Sequence, residues 1–423
     1  MNADNNSSLQ MYRGLLRVSC VINSIHDYRQ LLTSLLEITK EFMNCEAGSI
    51  MLYDESANDL VWHVALGEKA DALKKLVRLK MGQGVAGWVA QEQKSALVAD
   101  VASDSRFFRG ADTKTGFQTR SIVCVPLLVG QKLVGVLQAL NPRHKNHFDE
   151  LDLEVFEAYG ALAATAIEKT RWQDAMLQRQ KLDQELEIAK EIQDRFLARC
   201  FTNAEAVFQL AFHYNAASQI GGDFYDVQDV QNNRHALILG DVSGKGVPAS
   251  LLMAQILSEF RHFAHNEPNP GIILAHLNEY LCQQSTRGMF ATAWCAVVHP
   301  EGCNLVMAHA NAGHLPPIRF SSNNSHMIEM NSGMPLGILP GITYQPQKLH
   351  LARGELFCAY TDGVTEDRNA GGEEYGRNRL QQILASHFHD VATARNALLQ
   401  SLDEFGGNAP QRDDTTFLIL GPK

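Results

Sequence analysis

The sequence predicts an α+β protein of at least two domains joined by a helix, and three observations carry that expectation. Its 423 residues exceed what a single compact core usually organises. From about Asp27 to Lys169, helical and strand periods alternate, before a charged, proline-free stretch from Lys169 to Cys200. From about Phe201 to Lys423, apolar runs end in acidic, glycine-bearing loops. With 45% hydrophobic and 20% charged residues, the composition is that of an ordinary globular protein.

Taken in order, residues 1–26 begin polar and then place Leu15, Val18, Ile22 and Ile25 on one helical stripe. TSLLEITKEFM (33–43) reads as a helix, and SIMLYDE (49–55) and LVWHVAL (60–66) as strands. SIVCVPLLVGQKLVGVLQAL (121–140) reads as two strands turned at Gly130-Gln131, and FDELDLEVFEAYGALAATAIE (148–168) as a closing helix. In the charged stretch, Leu182, Leu186, Ala189 and Phe196 share a stripe in which Gln193 is a polar member. Matching stripes on both sides of the first domain favour an intersubunit coiled coil and a homodimer; a surface helix packed on its own domain is the alternative. The expected boundaries are 1–26 for an N-terminal helix, 27–168 for the first domain, 169–200 for the linker and 201–423 for the second domain.

A net charge of −10 argues against a nucleic-acid surface, and no polybasic stretch suits anionic lipid. No signal peptide precedes Leu9 and no run of about 18 apolar residues occurs, so a cytoplasmic protein without a membrane span is expected. The eight cysteines never form CxxC, which disfavours a zinc site or a disulfide framework.

The chemistry concentrates in four motifs: GGDFYD (221–226), GDVSGKG (240–246), YTDGVTE (360–366) and RDDTT (412–416). ALILGD shows the pattern best, with a buried strand over Ala236 to Leu239 and Asp241 just beyond it. Carboxylates gathered this way repel by roughly 4 kcal/mol per close pair at an effective dielectric near 20. Hard divalent cations remove that cost and prefer oxygen ligands, so Mg²⁺ or Mn²⁺ suits the set better than Zn²⁺. GDVSGKG is not a nucleotide P-loop, because three residues rather than four separate Gly240 from Gly244.

The first domain resembles the GAF family. The resemblance rests on SIMLYD (49–54), GQGVAGWVAQ (82–91), the 122–140 hairpin ending at Asn141-Pro142, and FDELDLE (148–154). It implies an antiparallel sheet with helices and a pocket for an unidentified small molecule, with a purely structural dimerisation unit as the alternative. It does not imply a cyclic nucleotide, because Asn141-Pro142 stands where those binders have Asn-Lys.

ELEIAKEIQDRFL (185–197) and the chain after it resemble the SpoIIE/RsbU branch of the PPM serine/threonine phosphatases. GGDFYD, GDVSGKGVPAS, MFATA (289–293), NAGHLPP (311–317), MPLGI (334–338), YTDGVTE and DDTT follow in the family's order. The resemblance implies a β-sandwich flanked by helices, with two Mn²⁺ or Mg²⁺ ions at one edge. Asp223, Asp241, Asp362 and Asp413 would act through those metals, and the Val242 carbonyl would support one of them. Asp226, Asn311, His314 and Asp414 would form the surrounding shell. His314 as a general acid is the less favoured reading, and Thr292 is taken as a buried strand residue. The implied substrate is phosphoserine or phosphothreonine on a STAS-type anti-sigma-factor antagonist or similar phosphoprotein. Hydrolysis would use metal-activated water, under control of the GAF domain and linker helix. The alternative is a weakly active or inactive protein that docks and sequesters its partner. The arginine by which eukaryotic PPM members grip phosphate is missing from Tyr214 to Ile220, so small phosphoesters should be poor substrates.

Overall fold

A computed structural model of the chain describes residues 25, 27–66, 78–110, 112, 116–197, 202–284, 288–322 and 324–423. The chain divides into two compact units, 1–182 and 183–423. Leu15, Val18 and Ile22 of the first stripe, with Cys20 and Cys200, lie outside the described residues.

In unit 1, helix α1 (Tyr28–Phe42) starts at Asp27, whose carboxylate accepts from the Gln30 N–H at 2.8 Å, an N-cap. Strands β1 (Cys45–Asp54), β2 (Asp59–Leu66) and β3 (Arg78–Lys80) precede α2 (Gly84–Glu92). Then come β4 (Ala96–Val98), β5 (Ile122–Val129) and β6 (Lys132–Pro142), with β5 and β6 joined by the turn at Gly130-Gln131. The sheet is antiparallel, in the order β3-β2-β1-β6-β5-β4. Strand alternation sorts its side chains: Val123, Val125 and Leu127 meet α1 and helix α3 (Glu150–Leu197), while Ile122 and Cys124 meet α2. Asn141, buried at φ 56°, accepts from the Arg120 and Ser121 N–H groups and donates to Glu46 and the Gln118 carbonyl. All its polar capacity thus goes into the sheet end rather than toward a ligand.

Helix α3 opens with Asp149 and Asp152 reciprocally accepting each other's N–H. It runs without a break through 168/169, where the sequence suggested a closing helix followed by a separate segment. The physical reason is composition: from Glu150 to Leu197 there is one glycine, no proline, and a run of good helix formers.

Unit 2 is a sandwich of two sheets. After α4 (Thr202–Val207) come β7 (Gln209–Asn215), β8 (Phe224–Val230), β9 (Arg234–Val242), α5 (Val247–Ala264) and α6 (Pro270–Gln284). They are followed by β10 (Ala291–Glu301), β11 (Asn304–Ala312), β12 (Ile318–Ser321), β13 (Asn324–Met327), β14 (Ser332–Gly333) and β15 (Gln347–Leu351). The chain ends with β16 (Leu356–Tyr360), α7 (Asp362–Thr365), α8 (Gly376–Ser386), α9 (Val391–Gly406) and β17 (Thr415–Gly421). One sheet runs β14-β11-β10-β9-β8 with β15 also on β11; the other runs β13-β12-β16-β17-β7. Alternation again sorts the layers. Leu418 and Leu420 of β17 join Trp294 and Phe357 between the sheets, while Phe417 and Ile419 face α8 and α9. Helices α5 and α6 cover the outer face of the first sheet, contributing Ile256, Phe260 and Leu277 to its core. Unit 1 is therefore an antiparallel sheet with helices on both faces, and unit 2 a β-sandwich flanked by helices, as the sequence predicts.

Candidate metal centre

Sheet register builds the site. Phe224 pairs with Gly240 at the start of β8, so Asp223, one residue earlier, lies across from Asp241 near the end of β9. In the other sheet Tyr360 pairs with Phe417, and the Thr361 N–H donates to the Thr416 carbonyl at 2.9 Å. That pairing brings Asp362, at the start of α7, to the end where Asp413 precedes β17. The sandwich thus brings the loops of both sheets together at one end.

Asp223 is 1% exposed, and its Oδ2 accepts from Thr361 Oγ1 at 2.8 Å and Thr416 Oγ1 at 2.6 Å. Burial, followed by the nearby Asp241 charge, raises its carboxyl well above the usual range; the threonine hydroxyls oppose that shift. Asp241 is pushed up to about 7 by burial and then by Asp362 and Asp413, with a hydrogen bond from Asp223 working the other way. Asp362 is raised by burial and by Asp413. Asp241 thus bears on Asp223 and is itself raised by Asp362 and Asp413, and Asp413 also raises Asp362. The Val242 carbonyl and Asp241 Oδ1 both lie over Gly222. Gly244, at φ 98°, turns the following loop through a conformation that a side chain would strain.

Three partners of the cluster were not recognised in the sequence. Thr361 and Thr416 each lie within an aspartate motif, but their shared bond to Asp223 depends on strand register. Lys245 Nζ lies 3.1 Å from Asp413 Oδ2 and donates to the Arg412 carbonyl at 2.7 Å; only its position inside GDVSGKG marked it.

The surrounding residues divide. Asp414 accepts from the Ala217 N–H at 2.9 Å and the Gly222 N–H at 2.7 Å, clamping the loop before Asp223. Asn311 brackets His314 by bonding its N–H and its carbonyl. His314 is buried and lowered to about 4 by desolvation, so its ring is neutral near pH 7; Thr292, half-buried rather than buried, pairs with its Nδ1 at 2.9 Å. Asp226 is not brought to the cluster: it points to the helix side of the sheet and pairs with Arg261 of α5.

The donor set is chemically suited to hard cations: carboxylates and a carbonyl, with buried Asp223 set against half-buried Asp241 and both forced toward protonation. As the side chains stand, no three His, Cys, Asp or Glu residues among those described surround one point closely enough to hold an ion. Only Oδ2 of Asp223 is taken up by its threonines, while Asp413 pairs with Lys245.

Residues 231–423 match the family model described as stage II sporulation protein E (SpoIIE), and residues 27–167 match the GAF domain model. The chain joins a GAF domain to a SpoIIE-type domain of the PPM phosphatases. Protein IcfG of Synechocystis is 28% identical over 264 residues, covering 56% of this chain and 41% of that protein. Phosphoserine phosphatase RsbU of Bacillus subtilis is 29% identical over 251 residues, covering 58% of this chain and 72% of that protein. The solved SiaA-PP2C domain of Pseudomonas aeruginosa matches with a TM-score of 0.52 at 22% identity, covering 58% of this chain and 98% of that one, a likeness of fold. The SpoIIE-type domain thus has its acidic cluster where both sheets end, and the GAF domain precedes it in the chain.

Proposed function

We propose that this protein is a metal-dependent serine/threonine protein phosphatase that removes phosphate from a signalling phosphoprotein, a STAS-type anti-sigma-factor antagonist or similar. The observation that carries this reading is the facing pair of buried Asp223 and half-buried Asp241, whose main influences are desolvation and other carboxylates. An external divalent cation is what such a pair lacks.

Asp223, Asp241, Asp362, Asp413 and the Val242 carbonyl would hold two Mn²⁺ or Mg²⁺ ions, which when bound supply an activated water and neutralise charge on the phosphoryl group. Thr361 and Thr416 fix the Asp223 carboxylate by donating to one oxygen, leaving the other to face the cluster. Lys245 ties Asp413 to the loop that follows Asp241. Asp414 holds Gly222 and so sets the height of Asp223. Neutral His314 serves to brace the Thr292 strand end.

Control by the GAF domain and linker is part of the same proposal, with pairing of two chains through the linker helices. Supporting it, Arg261 of α5 donates to the Phe196 carbonyl at 2.9 Å, so the end of α3 bears on the helix that follows the GDVSGKG loop. The stripe on α3 is used only in part within unit 2: Leu186, Ala189, Gln193 and Phe196 are sheltered, while Ile188 and Ile192 on the same stretch are exposed. A cavity of about 890 Å³ in unit 1, edged by Tyr53, His63, Arg78, Lys132, Glu168 and Arg171, offers room for a small-molecule signal. We place the protein in the cytoplasm, where free thiols such as Cys295 and Cys358 stay reduced. No helix among the described residues is long and apolar enough to cross a membrane.

The test is phosphate release from a phosphorylated antagonist protein with Mn²⁺, repeated with Asp241→Asn. Turnover lost in the variant supports the proposal; metal-independent binding without turnover by the natural chain would replace it with a sequestering role.

A further inference from the structure

We propose that Gln193 is a positioning residue for the metal centre, linking the placement of helix α3 to the placement of Asp223. The proposal rests on the metal reading above and adds the means by which the linker helix acts on that site. Around Gln193, α3 is open to solvent at Glu191, Ile192, Asp194 and Arg195, yet Gln193 is 5% exposed. Its Nε2 donates to the Gly221 carbonyl at 2.8 Å, and its Oε1 accepts from the Gly221 N–H at 3.2 Å. One carboxamide therefore pairs with both polar groups of one residue, as a neighbouring strand would.

That residue lies two positions before Asp223. The loop is held from its other side by Asp414, through the N–H groups of Ala217 and Gly222. A Cβ on Gly221 would collide with Asp414 Oδ2 and the Tyr214 hydroxyl, so the backbone has no room to drift that way. Asp414 belongs to the acidic cluster's own strand end, whereas Gln193 belongs to the helix. The height of Asp223 is thus set by two clamps, one of which moves with α3. Arg261 adds the helix end, bonding the Phe196 carbonyl and lying over its ring at 4.2 Å. A one-residue change of helix phase turns a side chain by about 100° and takes the carboxamide away from Gly221.

The test uses the full chain and four variants: Gln193→Met, which keeps volume and removes both bonds; Gln193→Glu, which keeps the acceptor; Glu191→Ala, an exposed neighbour; and Asp241→Asn. Mn²⁺ uptake is measured by calorimetry, with thermal unfolding in chelator and phosphate release alongside. Gln193→Met should weaken the Mn²⁺ midpoint by about 10- to 100-fold, the usual effect of losing a group that orients metal ligands, with Gln193→Glu intermediate and Glu191→Ala unchanged. A role confined to stability would lower the unfolding temperature and leave the midpoint of the folded protein alone. A Gln193→Met midpoint within about twofold of the natural chain overturns the proposal, and should that variant not fold, Gln193→Glu is held to the same limit. If Asp241→Asn loses Mn²⁺ while Gln193→Met retains it, only this inference fails; if Asp241→Asn also retains it, the metal reading fails.

Discussion

Asp223 and Asp226 stand three residues apart at the start of one strand, 1% and 0% exposed, in opposite surroundings. An odd offset sends them to opposite faces of the sheet. Asp226 meets the Arg261 guanidinium on α5, so its charge is neutralised within the protein. Asp223 meets two threonine hydroxyls and the Asp241 carboxyl. Where a buried charge serves structure, this chain supplies the cation itself. Where it builds the site, acid is set against acid, and the neutralising charge must come from solution.

The contrast can be broken by substitution. Asp241→Asn or Asp223→Asn should lower phosphate release about 1,000-fold or more, as loss of a group that stabilises transition-state charge does. In chelator, Asp223→Asn should nevertheless unfold at an equal or higher temperature, because it relieves a buried repulsion. Asp226→Asn should do the reverse, costing about 3–5 kcal/mol in denaturant unfolding by stranding a largely buried Arg261. If both substitutions shift stability in the same direction, the distinction between the two aspartates is lost.

A pH series sharpens the same comparison. Asp241 is raised to about 7 in the folded chain, against about 3.9 unfolded, so its contribution to metal-free stability is fully present below about pH 4 and is lost as pH rises to about 7. Mn²⁺ must displace that proton, so the thermal stabilisation it gives should be larger near pH 7.5 than near pH 5. Equal gains at the two pH values would contradict the coupling. The smallest effect belongs to the supports: Thr361→Val should cost about 1 kcal/mol in metal-free stability and weaken the Mn²⁺ midpoint about 10-fold.

The fold class was legible because its signals are local. The β5–β6 hairpin follows from alternation around Gly130-Gln131, and β9 from ALILG, although the strand runs on to Val242 and so takes in Asp241. The acidic motifs were legible as a group because each couples an aspartate to a turn. Their supports were not. Thr361 and Thr416 reach Asp223 across 138 and 193 residues of chain through sheet register, which no local period reports. Gln193 looked like a polar member of a coiled-coil seam, and its partnership with Gly221 emerges only when the loop before β8 folds against α3. Asp226 shared a motif with Asp223 yet belongs to the opposite face, a distinction that spacing along a known strand start would have revealed. Both sides of 168/169 read as helical, and α3 runs through that point as one helix because good helix formers continue across it.

The central claim is that Asp223, Asp241, Asp362 and Asp413 form one cation site that serves phosphoester hydrolysis. Calorimetric titration of the full chain with Mn²⁺, beside the four single Asp→Asn variants, tests it most directly. Saturable uptake by the natural chain, weakened or abolished in all four variants, is the predicted result. Uptake that persists with the natural midpoint in Asp241→Asn would contradict it.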